Sequence, residues 1–262
     1  MPGYLDPPGP SPFHRLNPLT KILLAVVTAI DAIIVGGLSG PLVLIVVAVL
    51  LPALWAGVAL RLIRTALLLS LPISISVLLI NVFFFPGGRD VLFQVGPFSA
   101  TREGMVFAIE TLLRIAAISG SITLFYLTTR PADLVLDLER RGVSARLGFV
   151  ANASVQMVPA MIERAASITA SQRARGMDTE GGVRNRLRGI VPIVAPVMLG
   201  AISEVESRTL ALEARGFGRP GRRTLLWVPG DSGAQRGTRW LLVLTIPVLI
   251  GARGAGLLTG LG

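Results

Sequence analysis

Four long apolar segments dominate the first half of this chain and set its fold class. They cover Ile22–Leu38, Pro41–Leu60, Thr65–Phe85 and Met105–Leu127. A helix needs about 20 mostly apolar residues to cross the hydrocarbon core of a bilayer, and in lipid a helix satisfies its own backbone hydrogen bonds. A shorter fifth candidate, Trp240–Ala252, must extend past Arg253 to cross fully. The sequence therefore predicts an all-α polytopic membrane protein with four to five transmembrane helices.

The composition excludes several other classes of protein. The 262 residues are 52% hydrophobic and still carry a formal charge of +10, a combination that soluble domains rarely show. There is no cysteine, which excludes disulfides and thiolate chemistry, and the single histidine, His14, has no carboxylate cluster nearby. We therefore predict no metal and no cofactor. The first twenty residues lack the apolar core of a signal peptide, so insertion is expected to rely on the spans themselves.

Basic residues predict the orientation of the spans. The loops expected on the inner side are flanked by Arg15, Lys21, Arg61 and Arg64. Many more arginines lie between Arg130 and Arg223, whereas the loop Pro86–Gly104 balances its charges. Since cytoplasmic loops carry an excess of Lys and Arg, we predict a cytoplasmic N-terminus and a cytoplasmic segment after the fourth span.

Three ionisable residues fall inside the predicted spans. Glu110 and Arg114 stand four residues apart on one helix face, which favours a structural ion pair over a ligand for substrate. Asp31 lies near the outer end of its span, where we expect it to reach water.

The segment after the fourth span predicts one short and two long helices. The short helix begins at Ala132 and ends near Arg141-Gly142. The first long amphipathic pattern starts at Phe149, and after a polar link, Asp178–Arg188, the second runs from Ile190 to Leu212. These patterns divide the chain into an N-terminal membrane domain (1–127), a cytoplasmic domain (128–223) and a C-terminal segment that contains the predicted fifth span (224–262).

Both long helices end in the same tripeptide. The residues are Ala174, Arg175 and Gly176 in the first helix, and Ala214, Arg215 and Gly216 in the second. Glycine at such an end is typical of a left-handed cap, with arginine complementing the helix dipole. The alternative is a docking end, in which small residues permit close approach and the guanidinium pairs with a partner's carboxylate or cap carbonyls. A third copy, Ala252-Arg253-Gly254, follows no amphipathic helix and is not expected to dock.

Together with three further motifs, these ends resemble those of a known family. The motifs are Arg15-Leu16-Asn17-Pro18-Leu19-Thr20-Lys21 before the first span and Leu127-Thr128-Thr129-Arg130-Pro131-Ala132-Asp133-Leu134 after the fourth, with Val158-Pro159 in the first long helix. The chain resembles the transmembrane T component of energy-coupling factor (ECF) transporters, the EcfT/CbiQ-like family of vitamin and metal-ion importers of the ABC class. The resemblance covers nearly the whole chain.

The resemblance implies a non-catalytic coupling subunit in a prokaryotic cell membrane. Two coupling helices would place their Ala-Arg-Gly ends in grooves on a pair of ABC-type ATPase subunits, with Arg175 and Arg215 as the anchors. The membrane helices would hold an integral substrate-binding S component, to which the motion driven by ATP is transmitted. The T component itself would bind neither nucleotide nor, primarily, the transported vitamin or metal ion.

Two other functions remain open from the residues alone. A conventional ABC importer permease also couples to ATPases, but one short coupling helix would be expected instead of two long ones. An integral membrane enzyme acting on lipid headgroups would need paired acid and base groups, and Glu204 and Glu206 do not share a helix face. The only lysine, Lys21, follows no glycine-rich loop, so a P-loop for ATP is absent. No nucleic-acid module is visible.

Overall fold

The computed structural model describes residues 11–86, 90–95, 98–177, 183–217, 219 and 230–255. The chain forms two units, one comprising Met1–Asp137 with Val228–Gly262 and the other comprising Leu138–Trp227. Helices account for nearly all regular structure in the described residues, which confirms the all-α prediction. The predicted domain boundary at 223 lies outside the described residues.

The first two helices of the first unit are joined by a short turn that contains glycine. Helix α1 covers Pro18–Ile34 and begins where the Asn17 side chain accepts the N–H of Leu19 at 2.9 Å. Its 17 residues correspond to about 26 Å, so the helix ends four residues before the predicted boundary and is shorter than an average hydrocarbon core. The turn includes Gly37 with φ +74.

Helix α2 covers Ser39–Ala56 and contains a π-helical segment, Ile45–Leu50. It ends at Gly57, whose φ of +71 lies in the left-handed region that glycine adopts without strain. Helix α3 then covers Ala59–Phe83. The boundary between the second and third predicted spans is therefore near Gly57 and not at 60–65, because the left-handed glycine stops the helix.

A short β-hairpin, absent from the sequence predictions, occupies part of the predicted outer loop. Strands β1 (Val91–Val95) and β2 (Phe98–Thr101) pair antiparallel. Helix α4 follows at once and covers Arg102–Thr128, with the Thr101 side chain accepting the N–H of Gly104 as its N-terminal cap. In the described part of the chain, α2, α3 and α4 are the helices long and apolar enough to cross a membrane.

Helix α5 (Pro131–Arg140) follows α4 after a two-residue break, and helix α8 (Gly233–Gly254) completes the first unit. The short predicted helix is thereby confirmed. The predicted fifth span lies within α8, whose 22 residues include Arg236, Arg239 and Arg253. These arginines make α8 less apolar than the three membrane helices, and the first and fifth spans stay predictions.

Helix α4 lies at the centre of the first unit, where it packs against α1, α2 and α3, and α1 also packs against α8. Gly120 of α4 permits the close approach to α2, since a Cβ there would stand 2.9 Å from Cγ1 of Val49. The buried core around this contact comprises Phe13, Val49, Ala53, Ala56, Val58, Leu62 and Leu124. Most apolar side chains of α3 are exposed, as expected for a surface that faces lipid or another membrane protein.

The second unit is a pair of long helices, α6 (Ala145–Ala174) and α7 (Val183–Ala214). Both long helices are confirmed, although each helix begins several residues before its predicted apolar pattern does. The prediction of a polar link over Asp178–Arg188 is wrong for residues 183–188, which form the first turns of α7. Polar side chains are compatible with a helical backbone, so their presence does not mark the helix boundary. Residues 178–182 lie outside the described residues.

Candidate functional site

The end of α6 has the hydrogen bonds of a Schellman motif. Arg175 is the C-cap, and Gly176 follows it with φ +88. The N–H of Gly176 donates to the carbonyl of Arg173 at 2.9 Å, and the N–H of Met177 donates to the carbonyl of Gln172 at 3.1 Å. These bonds satisfy the last carbonyls of the helix and require a positive φ, so the capping interpretation of this glycine is confirmed.

The end of α7 repeats this geometry residue by residue. Gly216 has φ +74. Its N–H donates to the carbonyl of Glu213 at 2.9 Å, and the N–H of Phe217 donates to the carbonyl of Leu212 at 2.8 Å. In both helices the arginine therefore stands at the same place, between the last helical alanine and a left-handed glycine.

The two ends are also equally accessible. Ala174, Arg175 and Gly176 are exposed, their counterparts in α7 are exposed too, and the apolar residue after each glycine is half-buried. A Cβ added at Gly176 or at Gly216 would meet nothing within 4 Å. Each glycine is thus required by its backbone conformation and not by packing within the chain, and each end presents a free surface of small residues beside a guanidinium.

The third Ala-Arg-Gly copy is built differently. Arg253 and Gly254 belong to α8 itself, and Gly254 has no positive φ. The guanidinium of Arg253 donates to the carbonyl of Ile34 at 2.8 Å, which fills an open acceptor at the end of α1. Arg253 therefore has a structural partner within the first unit.

Helices α6 and α7 run antiparallel. Three contacts pair them in reverse order along the chain, namely Phe149 with Phe217, Arg164 with Glu204, and Gln172 with Pro192. The end of α6 therefore lies beside the beginning of α7, and the end of α7 lies beside the beginning of α6. At 1.5 Å per residue, the two Ala-Arg-Gly ends are about 35 Å apart along the pair.

An ion-pair cluster ties the middle of the two helices together. Arg164 of α6 lies 2.8 Å from the carboxylate of Glu204, which also pairs with Arg208 one turn later on α7. Desolvation raises the pKa of Glu204, but the hydrogen bonds and charges of Arg164 and Arg208 outweigh it and hold that pKa below 4.5. The carboxylate is therefore ionised at neutral pH and links the helices. The sequence predictions missed Arg164 because this pairing is a long-range contact.

The charged residues of the predicted spans have structural partners. Glu110 pairs with Arg114, as predicted, and also accepts the N–H of Gly37 at 2.8 Å, which fixes the turn after α1. The expectation that Asp31 reaches water is wrong. Its side chain is buried and accepts the hydroxyl of Thr245 at 2.7 Å, because α8 covers this face of α1.

A buried polar cluster near the start of α1 escaped the sequence predictions. Asn17 and Asp137 are both fully buried, and the amide of Asn17 donates to the carboxylate of Asp137 at 3.0 Å. The ammonium of Lys21 is buried too and donates to the carbonyls of Thr128 and His14 at 2.8 and 3.1 Å. Asn17 before a proline signals a helix cap, but its pairing with a residue 120 positions away has no local signal.

Within the described part of the chain, no group of three or more His, Asp or Glu side chains is arranged to hold a metal ion. The feature that repeats in the structure is the pair of equivalent helix ends, each with exposed small residues beside an exposed arginine.

Comparisons with known proteins agree with the resemblance noted from the motifs. The model of the family CbiQ, described as cobalt transport protein, matches residues 9–225. A protein of Brevibacillus brevis is 31% identical over 232 residues, which cover 83% of this chain and 85% of the relative. One of Lactococcus lactis subsp. cremoris is 26% identical over 260 residues, covering 92% of each chain. Both are named energy-coupling factor transporter transmembrane protein EcfT.

Proposed function

This chain belongs to the CbiQ family and is a transmembrane T component of an energy-coupling factor transporter, and from that premise we propose that it couples a pair of cytoplasmic ATPases to a substrate-binding membrane protein. Ala174–Gly176 and Ala214–Gly216 are the proposed docking ends, one for each ATPase subunit. The observation that carries the proposal is the repeated geometry of these ends, in which an exposed arginine stands beside an open left-handed glycine.

The unused hydrogen-bond donors of Arg175 and Arg215 support the proposed docking. Within the described residues, neither the Arg175 nor the Arg215 side chain forms a hydrogen bond or an ion pair, whereas Arg253 does. A guanidinium offers five donors in a planar fork that suits a carboxylate or a set of helix carbonyls. Two such cations at matching helix ends are therefore available to a partner and cost the chain no internal contact when they bind.

The spacing of the ends supports a paired partner. The two ends are about 35 Å apart along the helix pair, which is comparable to the width of one globular domain. Two ATPase domains that lie side by side can therefore each bind one end. The Arg164–Glu204 link makes α6 and α7 a connected pair, so displacement of one end is transmitted along both helices. ATP would be bound and hydrolysed by the partners, and this chain would supply the coupling.

The proposal also covers the membrane topology, the S component and the transported cargo. The N-terminus and the coupling domain (128–223) would be cytoplasmic, and the membrane domain (1–127) with the C-terminal segment (224–262) would hold the S component and membrane lipid. The exposed apolar face of α3 offers surface for both. The cargo would be a vitamin or a metal ion, and its identity would be set by the S component.

Site-directed photo-crosslinking tests this docking directly. Because the chain has no cysteine, Ala174→Cys and Ala214→Cys each give this chain a single benzophenone label, at a proposed docking end. We expect each label to crosslink to an ATPase subunit in the co-expressed complex, and the same label at Ala252→Cys, in the third tripeptide, to crosslink to none. Absence of ATPase crosslinks from both docking ends in an assembled complex would overturn the proposal.

A further inference from the structure

Asn17 is the point where three segments of the first unit are joined by hydrogen bonds. Its side-chain oxygen accepts the N–H of Leu19, and its amide donates to Asp137 at 3.0 Å. Its backbone N–H donates to the side-chain oxygen of Gln235 in α8 at 2.9 Å. The side chain is fully buried, so both of its polar atoms are satisfied by the protein and not by water.

Lys21 lies four residues after Asn17 on the same face of α1 and provides a second hydrogen-bonded contact, with the end of α4. Its ammonium donates to the carbonyl of Thr128, the last residue of α4, and lies 5.7 Å from the centre of the Phe13 ring. A buried cation at the C-terminal end of a helix also complements the helix dipole. One turn of α1 thus holds the end of α4 through Lys21 and helix α5 through Asn17.

The anchored helix is the one that leads out of the membrane unit. Asp137 is the last residue of the first unit before Leu138 begins the second, and α5 continues without a break to Arg140. The chain passes between the two units twice, at 137/138 within α5 and at 227/228, so α5 is one of two covalent routes by which a displacement of the second unit acts on the first. The hydrogen bond between Asn17 and Asp137 lies at the entry of this route into the first unit.

We propose that Asn17 is a positioning residue for energy coupling, which holds α5 to the start of α1 so that motion of the coupling helices reaches the membrane helices. This inference rests on the proposed coupling function. It assigns to the Asn17–Asp137 pair a role in transmission, and to Lys21 the role of fixing the neighbouring end of α4.

The test follows the motion at the end of α4. Tyr126 is 60% exposed and lies half a turn before Thr128, so Tyr126→Cys places a spin label there in a chain that has no other cysteine. The complex with its co-expressed ATPases and S component is reconstituted, and the label's spectrum is recorded with and without ATP. In the parent we expect a spectral change that depends on ATP.

Three variants separate transmission from folding. Asn17→Asp sets two carboxylates against each other and is expected to abolish the ATP-dependent change, while the ATPases still co-purify and hydrolyse ATP. Adding Asp137→Asn to it exchanges the two groups, restores the donor and acceptor, and is expected to restore the change even if the single variant folds poorly. Thr245→Val, which removes a buried hydrogen bond remote from α5, should keep it.

The outcomes are distinct. Three results would each overturn the role of Asn17 and leave ATPase docking intact. They are a full ATP-dependent spectral change in Asn17→Asp, no recovery of that change in the exchanged variant, and no spectral change in a parent complex that hydrolyses ATP. Failure of the parent chain to retain the ATPases at all would overturn the coupling function and this inference together.

Discussion

Gly176 and Gly216 occupy the same position in two antiparallel helices, each being the first residue beyond the C-cap, with φ of +88 and +74. Each is preceded by an arginine without a side-chain partner in the described residues. The chain thus presents the same exposed helix-end geometry twice, at the opposite ends of a connected helix pair.

Replacing either glycine by alanine should strain the backbone without any steric clash. The left-handed conformation costs a residue with a Cβ about 1–2 kcal/mol, and the space around each position is open. We expect Gly176→Ala and Gly216→Ala each to destabilise the helix end by that amount and to weaken ATPase binding by about tenfold. Thermal unfolding in detergent and an ATPase binding titration measure the two effects.

Gly251→Ala is the matched control for these glycine variants. Gly251 lies inside α8, has no positive φ, and a Cβ there would also meet nothing within 4 Å. Alanine should be neutral or stabilising by up to about 1 kcal/mol at this helical position. If all three variants behaved alike, the special role of the left-handed ends would be refuted.

Removing the charge of Glu204 should loosen the α6–α7 pair in a pH-dependent way. The pKa of Glu204 lies below 4.5 in the folded chain, so its contribution is present above that value and is lost as the pH falls through the folded pKa. The Glu204→Gln variant should therefore be less stable than the parent at pH 7 and equally stable at low pH. Denaturation followed across this pH range measures the difference.

Glu206→Gln serves as the comparison for that experiment. Glu206 is exposed and lies two residues further along α7, where it does not share a face with Glu204. Its substitution should leave stability unchanged at every pH. A stability loss in Glu204→Gln that persists unchanged at acidic pH would contradict the ion-pair account.

Lys21 should resist chemical modification in the folded chain. Its side chain is 4% exposed, and its ammonium donates two hydrogen bonds. An amine-reactive acetylating reagent should leave Lys21 unmodified in detergent and modify it in SDS, as read from the mass of its peptide. Arg61→Lys adds an exposed lysine to the same molecule as an internal reference. Equal rates at both positions in detergent would show that Lys21 is not buried.

The packing of α8 on α1 should depend on one hydroxyl. Thr245→Val leaves the buried carboxylate of Asp31 without the hydrogen bond that it accepts at 2.7 Å, which should cost about 1–3 kcal/mol. Thr238→Val, on the same helix, removes a hydroxyl that bonds only its own helix and should have little effect. Thermal unfolding of the two variants checks the difference, and equal melting points would argue against this contact.

The helices were largely predictable because their signals are local. Apolar runs of sufficient length predict α2, α3 and α4, and apolar residues at helical spacing predict α6 and α7. Their boundaries shifted where one residue decides, as at Gly57, whose left-handed conformation no hydropathy pattern reveals. The π-helical segment in α2 escaped notice for the same reason, since an extra residue per turn leaves a uniformly apolar run unchanged.

The tertiary polar contacts were not predictable. The ends of α6 and α7 were identified because capping is a local pattern that repeats in the sequence. The partners of Asp31 and Asn17 come from helices more than 100 positions away, and a single sequence contains no signal for which face they cover. The same is true of Arg164 and Glu204, whose pairing depends on the antiparallel arrangement.

The affinity of the ATPase pair for this chain tests the central claim most directly. We would titrate the purified ATPases onto the detergent-solubilised parent, the Arg175→Ala/Arg215→Ala double variant and Arg253→Ala. Loss of charge-assisted hydrogen bonds worth about 1.5–3 kcal/mol at each end predicts a weakening of about 100-fold or more in the double variant and none in Arg253→Ala. Parent-like affinity in the double variant would contradict the docking role of the two helix ends.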